Sequence, residues 1–330
     1  MSPFLSALRR VGLAAFLAGA GPAGSGVAHA QTPPAPPREI AVTFDDLPAV
    51  SVADGQPAAL AAFTDRLLAN FASAKVPVVG FVNEGKLAVA GEGLAGQAAR
   101  IDLLRKWVDA GFELGNHTYS HRSLNDLPIE EFEADVVRGE RVVQTLLATR
   151  GMKLRYFRHP FLQVGLDLAK REAFEDWLLR RGYTVAPVTI DNDEYIFAAV
   201  YAAALKAGDR ATAGRTAEAY LTYMDSVFAF NEGLSQDLFG RPIRLILLVH
   251  ANQLNADHSG ALFARLKQRG YAFVTLDRAL EDPAYASPDR YVGRWGISWM
   301  HHWEQAMGRK RTGSPDPPVW ITEAYEKGRR

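Results

Sequence analysis

From Arg38 onward the chain alternates short apolar runs with longer stretches in which apolar residues recur every three to four positions. The runs at 39–44, 76–82, 112–116, 154–157, 184–190, 244–249 and 271–275 read as strands. Several are apolar almost throughout, such as Val76-Pro77-Val78-Val79-Gly80-Phe81-Val82 and Leu245-Ile246-Leu247-Leu248-Val249. That is the pattern of a parallel strand covered on both faces. The intervening stretches are amphipathic. Ile129, Phe132, Val136, Val143 and Leu147 fall on one helical stripe, and Asp126 with Pro128 supplies its start signal. Ala110-Gly111-Phe112, Arg181-Gly182-Tyr183 and Arg269-Gly270-Tyr271 repeat one device, in which a helix stops at glycine and an aromatic residue opens the next strand. Seven strand–helix units over about 240 residues predict an α/β fold, a distorted (β/α) barrel of about seven parallel strands. An open doubly wound sheet is the competing arrangement.

Two segments break the rhythm. Residues 195–242 are too long for a strand–helix connection, and Ala-rich stretches at 200–207 and 211–230 make them a helical insertion. The tail from Pro283 carries four of the six tryptophans, Trp295, Trp299, Trp303 and Trp320. Three of them, Trp295, Trp299 and Trp303, recur on one helix face, which either packs against the barrel or stacks on sugar rings.

The N-terminus has a different pattern. Arg9 and Arg10 precede the apolar run 11–20, and a small-residue stretch ends Ala28-His29-Ala30. This is the order of a secretory signal, and the apolar run is shorter than the ~20 residues that span a bilayer. Cleavage is expected after Ala30, giving a periplasmic or secreted product with no stable membrane anchor. The Arg9-Arg10 pair leaves general and twin-arginine export both open. Residues 31–37, with four prolines, form an extended linker. The expected organisation is a signal peptide at 1–30, a linker at 31–37, a barrel at 38–282 with its insertion at about 195–242, and an extension at 283–330 packed on the barrel.

The 330 residues contain 37 basic and 37 acidic side chains. Signal removal takes two arginines and no acid, leaving 35 against 37 and a net charge of −2. Nothing in that balance favours nucleic acid as a partner. The absence of cysteine rules out disulfides, thiolate nucleophiles and Cys-ligated zinc or iron–sulfur centres. No G-x-G-x-x-G follows a strand, and neither a P-loop nor a G-x-S-x-G elbow occurs.

The chemistry-bearing residues collect at strand ends, where barrel enzymes keep their sites. The first strand ends in Asp45-Asp46. Adjacent strand residues point to opposite faces, so the two carboxylates converge only if the chain leaves the strand there. The pair then suits a metal ligand beside a base, although one carboxylate capping a turn is also consistent. The third strand leads into His117 and His121, whose i, i+4 spacing puts both on one side of a helical turn. One Asp with two neutral imidazoles makes three ligands and leaves positions for water, as in catalytic zinc sites. N/O ligation equally admits Co2+, Ni2+ or Mn2+. Arg158, at the end of the fourth strand, needs a carboxylate partner if buried. His250 closes the sixth strand, either as a satisfied core residue or, at the rim of the metal set, as an acid.

Five motifs in order then resemble the NodB-homology polysaccharide deacetylases, carbohydrate esterase family four, over about residues 38–282. Thr43-Phe44-Asp45-Asp46 resembles T-F-D-D, which implies Asp45 as catalytic base and Asp46 as metal ligand. His117 and His121, with Ser120 between, resemble the family's histidine ligands. Arg158-His159-Pro160-Phe161 resembles R-x-P-[YF], implying that Arg158 orients the base and the Phe161 N–H binds the oxyanion. Asp191-Asn192-Asp193-Glu194-Tyr195 resembles D-x-x-D-W. Leu248-Val249-His250 resembles L-x-H, with Leu248 in the acetyl pocket and His250 as acid, kept cationic by Glu194 or Asp191. Four positions depart from the pattern: Glu194 for Asp, Tyr195 for Trp on the pocket wall, Leu162 where glycine is common, and Ala251 where Asp usually follows the acid. The resemblance implies a divalent metal, foremost Zn2+, and removal of N-acetyl groups from extracellular or cell-wall glycans. The alternatives are an O-acetyl xylan-type esterase or a non-sugar C–N amidohydrolase on the same fold, or a catalytically dead carbohydrate-binding protein.

Overall fold

The computed structural model describes residues 38–329. The expected signal peptide, the expected cleavage after Ala30 and the expected proline-rich linker all lie outside the described residues.

Seven parallel strands form one sheet, curled into a half-barrel and surrounded by helices. In chain order they are β1 (Arg38–Leu47), α1 (Pro57–Ala74), β2 (Val78–Val82), α2 (Gly93–Asp109), β3 (Glu113–Asn116), α3 (Ile129–Arg138), α4 (Arg141–Ala148), β4 (Tyr156–Phe157), α5 (Leu168–Arg180), β5 (Thr184–Val185), α6 (Glu194–Lys206), α7 (Arg210–Phe239), β6 (Leu245–His250), α8 (Gln253–Gln268), β7 (Tyr271–Phe273), α9 (Leu276–Leu280), α10 (Trp299–Ala306) and α11 (Val319–Arg329). The strand order is β5-β4-β3-β2-β1-β6, with β7 also paired to β1. Every strand pairing is parallel. Among the described residues no helix is long and apolar enough to cross a membrane.

The fifth strand is shorter than its apolar run. Pro187 lacks the N–H that a ladder needs, so β5 ends at Val185. The chain resumes pairing at Ile190, which bridges Leu247 of β6. That bridge brings the two ends of the strand order together and draws the curl towards closure.

Strand alternation sorts the core into two layers. Ile40, Val42 and Phe44 of β1 face outward and pack with the surrounding helices. Ala41 faces inward with Val79, Phe81, Tyr156, Ala186 and Ile246. The same period puts Thr43 and Asp45 on the inner face, above Ala41. The β1–β6 register sets Leu248 beside Thr43 and His250 beside Asp45. The inner face is thus apolar low in the barrel and polar at the C-terminal ends of the strands.

The glycine device recurs in three dimensions. Gly111, Gly182 and Gly270 follow α2, α5 and α8 with φ of 86°, 80° and 84°. The next residue's N–H turns back to the helix, as from Phe112 to the Trp107 carbonyl and from Tyr183 to the Leu178 carbonyl, both at 3.0 Å.

Two helix expectations need correction. The stripe from Ile129 to Leu147 belongs to two helices, α3 and α4, which break at Gly139. There the backbone of Thr118 and Tyr119 comes so close that a Cβ would meet Tyr119 N at 2.8 Å. Trp295 is not on a helix with Trp299 and Trp303: it precedes α10 and is exposed, while the other two are buried. Trp303 packs edge-on against Phe239 and Tyr285, which fixes α10 to α7.

The 195–242 segment is α6 and α7, an antiparallel pair whose Phe197, Tyr220 and Tyr223 join the main core. It is integral packing, and its first turn carries Glu194.

Candidate active site

The two adjacent carboxylates converge because β1 is irregular at Asp46, where its register with β2 shifts between Phe44 and Leu47. The Asp46 φ of 71° is left-handed, a strained choice for a residue with a side chain, and it turns the second carboxylate to the side Asp45 already faces. Asp45 is buried, with Nη1 of Arg158 at 3.4 Å from both its oxygens. Arg158 is itself fully buried. Its Nη2 donates to Thr43 Oγ1 at 3.0 Å, and its plane lies over the Phe81 ring. Burial lifts the Asp45 carboxyl above its ordinary pKa, with Arg158 pulling the other way. A buried Arg158 without that carboxylate would be an uncompensated charge.

His117 and His121 do meet, but not on a helical turn. The segment is an irregular loop with left-handed Thr118 (φ 65°) and His121 (φ 56°). Side chains replace the helix ladder. Asn116 Oδ1 accepts from Thr118 N at 2.7 Å, Thr118 Oγ1 accepts from His121 N at 3.0 Å, and Asp135 Oδ2 takes both Ser120 N and Oγ. The imidazoles end 4.9 Å apart, edge to face. His117 Nδ1–H donates to the Arg158 carbonyl at 2.8 Å, which leaves the Nε2 lone pair free. Burial pushes both imidazoles down, each to about 4, so both are neutral near pH 7.

Asp46, His117 and His121 offer ligand atoms within 4.8 Å of one another. Asp46 Oδ1 is buried and makes no hydrogen bond, and it lies 3.5 Å from His121 Nε2. A buried carboxylate oxygen beside two neutral, oriented imidazoles fits a divalent cation of the first transition row. Burial alone would raise the Asp46 pKa, but Lys86, His121 and the neighbouring histidines hold it well below the usual carboxylate range. Lys86 Nζ stands 3.1 Å from the same Oδ1.

On the other side of Asp45 lies His250. Its Nδ1–H donates to Glu194 Oε2 at 2.8 Å. Glu194 is fully buried at the start of α6, and its Oε1 accepts from Asn252 and from Asn255 Nδ2. Burial works against the imidazolium, yet the hydrogen bond and charge of Glu194, helped by Asp46 and Asp45, lift His250 to about 9. Asp191 does not partner His250. It is half-buried nearby, takes its own hydrogen bond from Asn192 N at 2.9 Å, and is pushed up to about 6 by burial and by Asp193.

Phe161 and Leu162 are consecutive left-handed residues, φ 57° and 55°. Phe161 is exposed and sets its ring 4.4 Å from that of His121. Leu248 is buried on β6, its carbonyl held by Asn192 Nδ2 at 2.8 Å. Tyr195 is partly exposed and meets Tyr325 of α11 edge-on.

The structure therefore gathers Asp45, Asp46, His117, His121, Arg158, Glu194 and His250 at one end of the barrel, with Phe161, Leu248 and Asp191 around them and Tyr195 turned toward α11. Sequence reasoning missed several supporting residues. Asn252 and Asn255 complete the Glu194 carboxylate. Tyr220 in turn donates to Asn255 Oδ1 at 2.9 Å. The one local signal for them was Asn252 as the cap of α8, where its Oδ1 accepts from Asn255 N. Lys86 sits in a 3-10 turn, Glu84–Leu87, just past β2 and carries no motif.

Among known proteins, the polysaccharide deacetylase family model matches residues 32–174. No relative of curated function matches the chain in sequence. Solved structures are similar to it at low identity. A family 4 carbohydrate esterase from Streptomyces lividans, in complex with acetate, is 17% identical over 73% of this chain and 95% of its own, with a TM-score of 0.44. The peptidoglycan deacetylase PdaC from Bacillus subtilis is 18% identical over 74% and 91%, with a TM-score of 0.44. BA3943, a CE4 family pseudoenzyme from Bacillus anthracis, is 16% identical over 74% and 66%, also at 0.44.

Proposed function

We propose that this chain, whose residues 32–174 match the polysaccharide deacetylase family model, is an exported metal-dependent hydrolase that removes N-acetyl groups from cell-wall or other extracellular glycans. Asp191–Tyr195 and Leu248–His250 lie beyond the matched residues, so their part in the reading rests on geometry. The barrel over 38–282 carries the chemistry, and 283–330 is an extension to it. The observation that carries the reading is the placement of a buried carboxylate, Asp45, between an Asp-His-His cluster and a carboxylate-paired histidine.

A divalent metal held by Asp46, His117 and His121, foremost zinc, would lower the pKa of water and polarise the acetyl carbonyl. Asp45 takes the proton of the attacking water. Arg158 fixes the orientation of that carboxylate and keeps it ionised. Water oxygen bonds to the carbonyl carbon, and the Phe161 N–H faces the oxygen on which negative charge develops. His250, protonated through Glu194, delivers its proton to the nitrogen as the C–N bond breaks. The products are acetate and a free amino sugar. A histidine held cationic favours an amide over an ester, because an amine leaves only once protonated.

The test is acetate release from N-acetylglucosamine oligomers, peptidoglycan and acetylated xylan. It is run after chelation and again after zinc or cobalt is returned, with Asp45→Asn as control. Metal-dependent acetate from the first two, lost in the variant, is expected. Acetate from xylan alone would replace the amide reading with an ester one. Absence of acetate from all three, with metal bound, would overturn it in favour of a non-sugar amide or a protein that only binds glycan.

A further inference from the structure

Phe161 belongs to two places at once. One edge of its ring meets His121 at the metal cluster. Its exposed face lines a neighbouring groove of about 600 Å³, together with Leu166, Trp295, Gln163, Asn125 and Arg294. Phe161 and Leu166 are each 56% exposed and Trp295 is 66% exposed. Three large apolar side chains left open on one concavity are unusual on a protein surface and mark a binding site.

The groove is built rather than incidental. Trp295 lies on the strap that leads into α10, and the strap's backbone is tied to the barrel. Gly293 N donates to the Gly165 carbonyl at 3.0 Å. Asn125 Nδ2 donates to the Gly293 carbonyl at 3.1 Å, and Gln163 Nε2 to the Arg294 carbonyl at 2.9 Å. Tyr291 Oη donates to the Trp295 carbonyl at 2.6 Å. Gly296 packs so closely on the Phe161 loop that a Cβ there would overlap the Phe161 carbonyl oxygen. The backbone is fixed while the indole stays open, which is the arrangement of a preorganised stacking platform. The Arg294 guanidinium lies over one side of the indole, 5.4 Å from its centroid, and brings hydrogen-bond donors to the groove.

We infer that this groove is a second sugar subsite, holding a pyranose ring of the same glycan next to the ring whose acetyl group meets Asp45. The occupant follows from shape and continuity. A pyranose offers an apolar C–H face to an aromatic ring and hydroxyls around its edge, matching an indole rimmed by Arg294 and Asn125. Phe161 makes the groove continuous with the reacting centre. The inference rests on the glycan reading of the active site and adds that chain length is recognised by the C-terminal strap.

The test is calorimetric titration of the chelated full chain with N-acetylglucosamine and with its hexamer, in wild type and Trp295→Ala. Trp295 is exposed, so the variant folds. The hexamer is expected to bind about ten-fold more weakly to the variant, or about 1.4 kcal/mol, with monomer binding unchanged. Leu166→Ser is expected to weaken the hexamer in the same direction. Equal hexamer affinity in wild type and Trp295→Ala, or no hexamer binding by wild type, would overturn the subsite. Metal-dependent hydrolysis of a small acetyl ester, too short to enter the groove, is measured in parallel. Its presence with an unchanged hexamer affinity fails the groove alone, and its absence fails the hydrolase reading independently.

Discussion

Replacing Glu194 with glutamine tests the proton-donating half of the site. Both Glu194 oxygens accept hydrogen bonds: Oε2 from His250 Nδ1, and Oε1 from Asn252 and Asn255. Glutamine keeps the shape but loses the charge, and its amide adds two donors to a carboxylate site surrounded by donors. The pair lifts His250 from an ordinary 6.5 to about 9. That is roughly 3 kcal/mol in favour of the imidazolium. Without the carboxylate, burial is the largest remaining effect, and it lowers the pKa to 6.5 or below. A general acid works only while protonated, so activity falls as pH rises through its pKa. A bound dication repels the imidazolium, so the basic limb of the loaded wild-type enzyme lies below pH 9, and that of the variant at least about two pH units lower still. At pH 8 roughly 90% of a histidine titrating near 9 is protonated, against about 3% of one titrating near 6.5, a difference of about 30-fold. The assay is kcat/KM for acetate release from an N-acetylated oligomer, measured between pH 5 and 10. The variant should approach wild type below pH 6 and lose most above pH 7. An acetyl ester with a good leaving group should show much less of the shift. A basic limb that does not move in Glu194→Gln would refute the assignment of His250 as a Glu194-tuned acid.

Three further outcomes follow from the geometry. His117→Ala removes one of three ligand atoms and also the hydrogen bond to the Arg158 carbonyl, so zinc stoichiometry by elemental analysis should drop from about one to near zero. Arg158→Met leaves Asp45 buried beside the cluster without its cation and should destabilise the fold by about 3 kcal/mol in chemical denaturation. Adding Asp45→Asn should recover most of that loss, and a double variant no more stable than the single one would contradict the pairing. Leu162→Gly relieves a left-handed residue, worth about 1 kcal/mol, but deletes a side chain buried in the main core, worth about 2–5 kcal/mol. A net loss of thermal stability is expected despite the better backbone fit.

Much of the barrel was legible because a parallel strand covered on both faces writes a continuous apolar run: five of the runs sit within two residues of their strands at both ends, and the first within three. The exception, 184–190, contained its own warning in Pro187, whose missing N–H divides the run between β4 and β6. The Gly139 break had no comparable local cause. One glycine inside a helix costs only about 1 kcal/mol, and what ends α3 is the distant Thr118–Tyr119 backbone. The metal cluster was legible as residue types at strand ends. Its loop conformation was not, because Ser120 donates its hydrogen bonds to Asp135, fifteen positions away. Lys86 was invisible for the same reason: its meaning depends on a contact with Asp46, forty residues earlier. Trp295 shows the limit of periodicity. Its spacing from Trp299 and Trp303 is helical, yet the helix begins only at Trp299.

The departures from the family pattern make physical sense when placed in this chain. Among the described residues seven non-glycine positions have positive φ, and Asp46, Thr118, His121, Phe161 and Leu162 of these surround the cluster. Such residues persist only where their surroundings over-determine them. For Leu162 the surroundings are the core that buries its side chain, so leucine is retained where backbone preference alone favours glycine. Glu194 sits at the first turn of α6, a helix packed against α7 and α8, and the asparagines that saturate its carboxylate are at the start of α8. Its carboxylate is therefore anchored by the start of α8, and Tyr220 of α7 holds Asn255 in turn. Tyr195, one residue on, points its ring at Tyr325 of α11. The changes in motif four thus coincide with contacts to α7, α8 and α11, and the strap that carries Trp295 belongs to the same C-terminal extension as α11. The added segments supply the scaffold behind the acid on one side and a wall beside Phe161 on the other. On this argument the Glu194 and Tyr195 departures go with the added segments, and Asp45, Asp46, His117, His121 and His250 stay in one connected geometry.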